Sequence, residues 1–198
     1  MEKKDPLKFK NKYRIASTRL QNWDYRWAAA YFITICTKNR TCYFGDIVNG
    51  KMVLSNVGVL ANVFLFEIKN HAKNVELGEF VIMPNHVHLI LILNGNDTDM
   101  TDLPVVEARH ALPLQSANPP EPETIGQKRF QNQGKNSVSS IIGSYKSAVT
   151  RHANRLGFEF AWQPRFYDHI IRNEKSFINI SNYIINNPLK WNEDKFHS

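Results

Sequence analysis

Two histidines one residue apart, His86-Val87-His88, sit inside the apolar run from Phe80 to Leu93, and they constrain this chain more than any other feature. The run is β-branched and leucine-rich, so it reads as a strand, and side chains in a strand alternate faces. Both imidazoles therefore point one way while Val87 and Leu89 point the other. His88 is followed by Ile90 and Ile92 on its own face and by Leu91 and Leu93 on the opposite one, the pattern of a central strand covered on both sides. Two neutral imidazoles on one rigid strand make a bidentate clamp for a divalent first-row metal. They fill only part of its coordination sphere, so other ligands must come from elsewhere and positions stay open for substrate. Taken alone, the pair reads better as one solvated and one hydrogen-bonded histidine at a strand start, and it is the element near the C-terminus that shifts the balance.

At 198 residues the chain fits one domain with an insertion and is long enough to bury a substantial core. Its apolar runs fall far short of the roughly 18 residues of a spanning helix, and the start Met1-Glu-Lys-Lys-Asp lacks a signal-peptide core. The expectation is a protein of the cytoplasm, associated with the nucleoid and not with a membrane. Cys36 and Cys42 form no Cys-x-x-Cys pair and read as reduced thiols. The net charge of +7 favours polyanionic partners. Cations crowd the N-terminal arm, residues 1–24, and the C-terminal third, interleaved with Trp23, Tyr25, Trp27, Trp162, Phe166 and Tyr167. Charge suits phosphates and flat rings suit unpaired bases, so single-stranded nucleic acid fits this mixture, as does a solvated basic surface over core aromatics. Arg14, Arg26, Trp162, Arg165, Tyr167 and Arg172 are the candidate DNA contacts.

Along the chain, Trp27 to Thr37 predicts a strand, Asn39 to Gly45 a loop, and Met52-Val53 a short extended piece. Ser55 caps a helix through about Ala72, with Val57, Leu60, Ala61, Phe64 and Ile68 as its buried stripe. Leu77 to Val81 begins a second strand that turns at Pro84-Asn85 into the histidine strand. Asn94 to Asn136 is rich in Gly, Asn, Pro, Gln and Glu without periodicity, and reads as a mobile insertion in a domain spanning 25–198. A helix capped by Ser137 or Ser139 follows, with Ile141, Ile142, Tyr145, Ala148 and Val149 on its buried face. Phe160 to Asn173 is part extended and part loop. A last helix runs from after Asn173 to before Pro188, with Phe177, Ile180 and Ile184 inward. This order is that of a ferredoxin-like α+β fold, an antiparallel sheet with helices packed on it.

On that last helix Tyr183 and Asn187 are four apart and share a face. A phenol, with a pKa of about 10, becomes a useful nucleophile chiefly against a phosphodiester polarised by a metal. Asn187 offers an amide oxygen, a neutral ligand for a hard cation. Two imidazoles and this oxygen would leave roughly half of an octahedral Mg2+ or Mn2+ sphere for water and a phosphate oxygen. A half-buried core tyrosine and a helix C-cap before Pro188 are the structural alternatives.

Met83-Pro-Asn-His-Val-His88, Trp162-Gln-Pro-Arg-Phe-Tyr-Asp-His-Ile-Ile-Arg-Asn173 and Tyr183-Ile-Ile-Asn-Asn-Pro188, in this order, resemble the single-tyrosine HUH transposases, above all their REP-associated branch. The likeness runs from about Tyr25 to Trp191 outside the insertion. It implies the HUH endonuclease version of the ferredoxin-like fold, His86 and His88 as the metal-binding pair with Asn187 as third ligand, and Tyr183 as nucleophile. It further implies cutting and rejoining of single-stranded, hairpin-bearing DNA through a 5′-phosphotyrosine, without ATP. Asn187 matches the REP-associated branch, where short insertion-sequence relatives carry Gln. Tyr145, on an apolar helical face, is expected to be core; Tyr167, beside Asp168 and His169, is expected to stack on a base or support the site. The competing reading is a domesticated hairpin-binding protein that no longer transposes, and a homodimer is one assembly open to either. A metal hydrolase of small molecules would want an acidic general base beside the clamp, and neither Asn85 nor Val87 is one.

Overall fold

The computed structural model describes residues 25–72, 74–94 and 136–197. The N-terminal arm with Arg14, and all but the two ends of the 94–136 segment, lie outside the described residues, and so do the expectations placed on them.

Among the described residues, six strands and three α-helices are laid out as β1 (Ala29–Cys36), β2 (Gly45–Val48), β3 (Lys51–Leu54), α1 (Asn56–His71), β4 (Val75–Met83), β5 (His86–Leu93), α2 (Val138–Arg155), β6 (Tyr167–Ile171) and α3 (Glu174–Asn186). The main sheet has the order β4-β5-β1-β6, antiparallel throughout. With β2 and β3 set aside as a separate hairpin, the path is β-α-β-β-α-β with the first and third long strands at the centre. This is the expected ferredoxin-like sheet, and α3 is an addition at its end.

Strand periodicity places each side chain. Tyr31, Ile33 and Ile35 of β1 and Val87, Leu89 and Leu91 of β5 are all fully buried and belong to the large core under α1 and α2. The other face of the same strands carries Phe32, Thr34, His86, His88 and Ile90, and there Ile90, Ile171 and Ile184 form a second, smaller core with Phe177 and Ile180 packed against it. Burying Ile184 contributes about 1.5–3 kcal/mol toward holding α3 on the sheet. Both expected serine caps are made at the first residue proposed: Ser55 Oγ accepts from Gly58 N–H at 3.1 Å and Ser137 Oγ from Ser140 N–H at 3.2 Å. Asn173 caps α3 through Ser176 N–H at 2.8 Å.

Two local readings differ from the structure. The extended piece near Met52-Val53 is one arm of a hairpin whose other arm is β2. Its turn is Asn49-Gly50, both in the left-handed region (φ 53° and 73°), the pair that a two-residue hairpin turn favours. On α1 the fully buried stripe includes Gly58 and Leu65, while Leu60 and Phe64 are only partly buried. Gly58 is needed because a Cβ there would meet Phe44 O, which accepts from Ser55 N–H at 2.8 Å. Phe160 to Asn173 is part extended and part loop as expected, its extended part being Tyr167–Ile171, which pairs with β1 at the edge of the sheet.

Candidate metal and nucleophile site

In the β1–β5 register Thr34 stands opposite His88, and Cys36 opposite His86. Thr34 Oγ1 lies 2.8 Å from His88 Nδ1. Asn85, the residue before the clamp, is fully buried, and its polar groups are committed one by one. Its backbone oxygen accepts from Thr37 N–H at 2.9 Å and from Thr37 Oγ1 at 3.0 Å. Its side-chain nitrogen donates to Phe196 O at 2.7 Å, which leaves its side-chain oxygen facing His86 Nδ1 at 2.9 Å. An amide oxygen can only accept, so His86 carries its proton on Nδ1 and presents the Nε2 lone pair. Fixing the tautomer through the other ring nitrogen is what orients a metal-binding histidine.

The expected residues converge. His86 and His88 are edge-on to each other with ring centroids 4.5 Å apart. Tyr183 reaches over from α3 with its hydroxyl 3.2 Å from His88 Nε2, braced by the edge of Phe32. Asn187 is 2% exposed at the end of the same helix. Two buried atoms in this group, His86 Nε2 and Asn187 Oδ1, find no hydrogen-bond partner among the described residues. Buried polar atoms left over in this way are costly, by about 1–3 kcal/mol each. Both are lone-pair donors, and both belong to residues expected to ligate a metal. Asp194 completes the group: one ligand atom from each of His86, His88 and Asp194 lies within 4.8 Å of the others. Such a set of nitrogen and oxygen donors fits a divalent ion.

Asp194 was not foreseen. It comes from the segment after α3, where Pro188–Glu193 forms a short 3-10 helix and the chain then crosses the clamp. Phe196 lies over His86 at 4.6 Å between ring centroids. Arg40 Nη1 donates to Lys195 O at 2.8 Å, and its guanidinium carbon lies 4.9 Å above the Phe196 ring. An open cleft of about 960 Å3 in front of the clamp is lined by His88, Tyr167, Tyr183, Asp194 and Phe196, together with Arg40, Lys190 and Lys195. Arg40, like Asp194, has no spacing in sequence that marks it, and only the tertiary fold brings it here; Asn85 adjoins the clamp in sequence, but its hydrogen-bond partners Thr37 and Phe196 do not.

Of the other residues singled out, Tyr145 is core: its hydroxyl donates to Ala61 O at 3.1 Å and burial pushes its pKa up. Tyr167 is half exposed on the cleft wall. Trp162 is not brought to the clamp. It packs among Phe44, Tyr145 and Phe160, its indole N–H donates to Lys146 O at 3.1 Å, and Lys146 Nζ lies 5.7 Å from its ring. Arg26, Arg165 and Arg172 are exposed. Arg165 takes a left-handed backbone (φ 67°), and its carbonyl accepts from Lys146 Nζ at 3.0 Å. Cys36 and Cys42 are free thiols, and no helix among the described residues is long and apolar enough to cross a membrane.

Electrostatics keep the clamp neutral. Burial, then Arg40 and Lys195, push the His86 pKa down to about 3, and burial and the neighbouring His86 hold His88 well below its ordinary value. Unfolded, both imidazoles would protonate near 6.5. The unfolded chain thus binds more protons below that value, and stability is complete above about pH 6.5 and falls as pH drops toward 3, by up to ~1.4 kcal/mol per pH unit for each histidine. Thermal melts should show the midpoint descending between about pH 6.5 and about pH 5 and level above it. A flat profile would mean that the histidines are solvated.

No protein-family model matches the chain. It is 36% identical over 182 residues to an uncharacterized protein of Haemophilus influenzae, covering 91% of this chain and 92% of that one. Among solved structures it is similar to a REP-associated tyrosine transposase bound to a REP hairpin, with a TM-score of 0.54 and 19% identity over 91% of this chain and 77% of the other. The likeness drawn from the three motifs is thus met at the level of fold. The chain belongs to one family with the Haemophilus influenzae protein, and its fold is that of a REP-associated tyrosine transposase.

Proposed function

We propose that this protein cuts and rejoins single-stranded DNA at hairpin-bearing sites, as a metal-dependent transposase-type enzyme with Tyr183 as nucleophile. The observation that carries the reading is the Tyr183 hydroxyl 3.2 Å from His88 Nε2, at the mouth of a cleft where two buried lone pairs stand unpartnered. His86, His88 and Asn187 would hold Mg2+ or Mn2+, which when bound would polarise the phosphodiester and offset the negative charge on its oxygens.

The remaining work falls to the chain. Burial and Asp194 raise the Tyr183 pKa, while a hydrogen bond from Asn187 opposes the rise, so the phenol is protonated at rest and gives up its proton as it attacks. Its oxygen forms a bond to phosphorus and the P–O3′ bond breaks. The departing oxygen takes up a proton, leaving a free 3′-hydroxyl and a 5′-phosphate esterified to Tyr183. Attack of a 3′-hydroxyl on that ester re-forms a phosphodiester and frees the phenol. One ester replaces another at each step, so no ATP is required.

Arg40, Lys190 and Lys195 along the cleft supply charge for the backbone, and Tyr167 presents a ring on which a base can stack. Exposed Arg26, Arg165 and Arg172, and Arg14 of the arm's sequence, are the further candidate DNA contacts.

The test is incubation of the full-length protein with labelled hairpins carrying single-stranded flanks, drawn from the borders of its own gene, in Mn2+ or Mg2+. A covalent protein–DNA adduct is expected, together with binding that weakens steeply with salt and prefers the hairpin to plain duplex. Tight hairpin binding with no adduct under any metal would replace this reading with that of a binding protein that no longer cuts.

A further inference from the structure

We infer that Asp194 is a metal ligand in its own right, so that the segment following α3 is part of the ion site. This rests on the metal-dependent reading above and adds to it the only charged donor of the set.

Three independent observations carry it. The first is placement: an Asp194 carboxylate oxygen and one nitrogen from each of His86 and His88 lie mutually within 4.8 Å, close enough to face a common ion. The second is the way Asp194 disposes of Asn187. Asn187 Nδ2 donates to Asp194 Oδ2 at 3.2 Å, which fixes the amide and leaves its oxygen, on a side chain 2% exposed, unpartnered. His86 Nε2, on a fully buried ring, is left over in the same way. The third is charge. Two imidazoles and an amide are neutral, and the cations nearest the clamp, Arg40 and Lys195, repel a dication. A carboxylate at this point supplies the opposing charge that a hard cation selects.

The carboxylate is held for the task. Asp194 Oδ1 accepts from Phe196 N–H at 2.7 Å, and Phe196 O in turn accepts from Asn85 Nδ2, the residue that orients His86. Asp194, Phe196, Asn85 and His86 thus form one connected chain of hydrogen bonds. Arg40 secures the neighbouring carbonyl of Lys195. Ion binding and the docking of residues 188–197 are therefore coupled: an ion held by Asp194 stiffens this segment, and displacing the segment removes a ligand.

The experiment measures Mn2+ alone binding to the full-length protein, by loss of the free-ion EPR signal, in wild type, Asp194→Asn, Asp194→Glu and the pair His86→Ala/His88→Ala. Asp194→Asn keeps the shape and removes the charge. It should lower Mn2+ affinity at least about tenfold, since even residues behind the ligands cost that much, while the metal-free protein stays folded and loses no more stability than the one carboxylate hydrogen bond that an amide gives up. Asp194→Glu, which keeps the charge, should recover part of the affinity. Mn2+ should also slow proteolysis within residues 188–197 in wild type and not in Asp194→Asn. Wild-type affinity in Asp194→Asn alongside lost affinity in the histidine pair would overturn this inference and leave the metal site standing. Wild-type affinity in the histidine pair itself would overturn both.

Discussion

Replacing Tyr183 by Phe should leave a folded protein that binds hairpin DNA as before and forms no covalent adduct. The substitution removes one hydroxyl from a side chain that is 42% exposed. The loss for stability is the hydrogen bonding of that hydroxyl with His88 Nε2 and Asn187, worth about 1 kcal/mol per bond. The loss for chemistry is the attacking atom, and removal of a nucleophile lowers turnover by at least ~10^3-fold. Adduct formation on denaturing gels and hairpin affinity by fluorescence anisotropy should separate completely. An unchanged adduct yield in Tyr183→Phe would move the nucleophile elsewhere. Tyr145 is a poor substitute, being buried with its hydroxyl on Ala61 O, whereas Tyr167 lines the same cleft and is the residue to examine next.

The second large effect concerns the clamp. His86→Ala and His88→Ala should each weaken Mn2+ binding by ~100-fold and abolish cleavage, because the strand supplies both imidazoles and one alone does not fix an ion. The fold should survive. In the β1–β5 register the histidines face α3, while Val87, Leu89 and Leu91 hold the larger core on the opposite face. Removing His86 strands Asn85 Oδ1 and opens a small cavity, at a cost of about 1–3 kcal/mol. Isothermal titration with Mn2+, next to a melt without metal, separates the two effects. Full cleavage by either variant, or by wild type in excess EDTA, would reduce the clamp to a structural pair.

What the sequence made legible follows the range of the interactions involved. Alternation along Trp27–Thr37 and along the histidine strand is a property of the backbone, and the structure reproduces the assigned faces: His86, His88 and Ile90 together, Val87 and Leu89 opposite. The caps at Ser55 and Ser137 and the inward set Phe177, Ile180 and Ile184 are local as well. The four-residue spacing of Tyr183 and Asn187 held because α3 runs through the first and ends at the second. The β2–β3 hairpin was missed because its arms are four residues long and half exposed, with little apolar alternation, although the Asn49-Gly50 turn was there to be read.

Thr34 reaches the site through sheet register, Arg40 from the short turn after β1 and Asp194 from the end of the 3-10 helix that starts at Pro188, and no periodicity links them to the histidines. Trp162 shows the converse. Its place in an aromatic, basic stretch suggested a stacking surface for DNA, whereas its indole is packed among Phe44, Tyr145 and Phe160 and bonded to Lys146 O. Composition marks which side chains are present, not which of them the core takes up.

The most direct measurement is to trap the adduct with a labelled hairpin in Mn2+, digest the protein, and locate the nucleotide-modified residue by mass spectrometry. The account predicts a 5′-phosphonucleotide on the peptide containing Tyr183, with a free 3′-hydroxyl on the released strand. Modification of Tyr167 or of any other residue, or release of a 3′-phosphate, would contradict it.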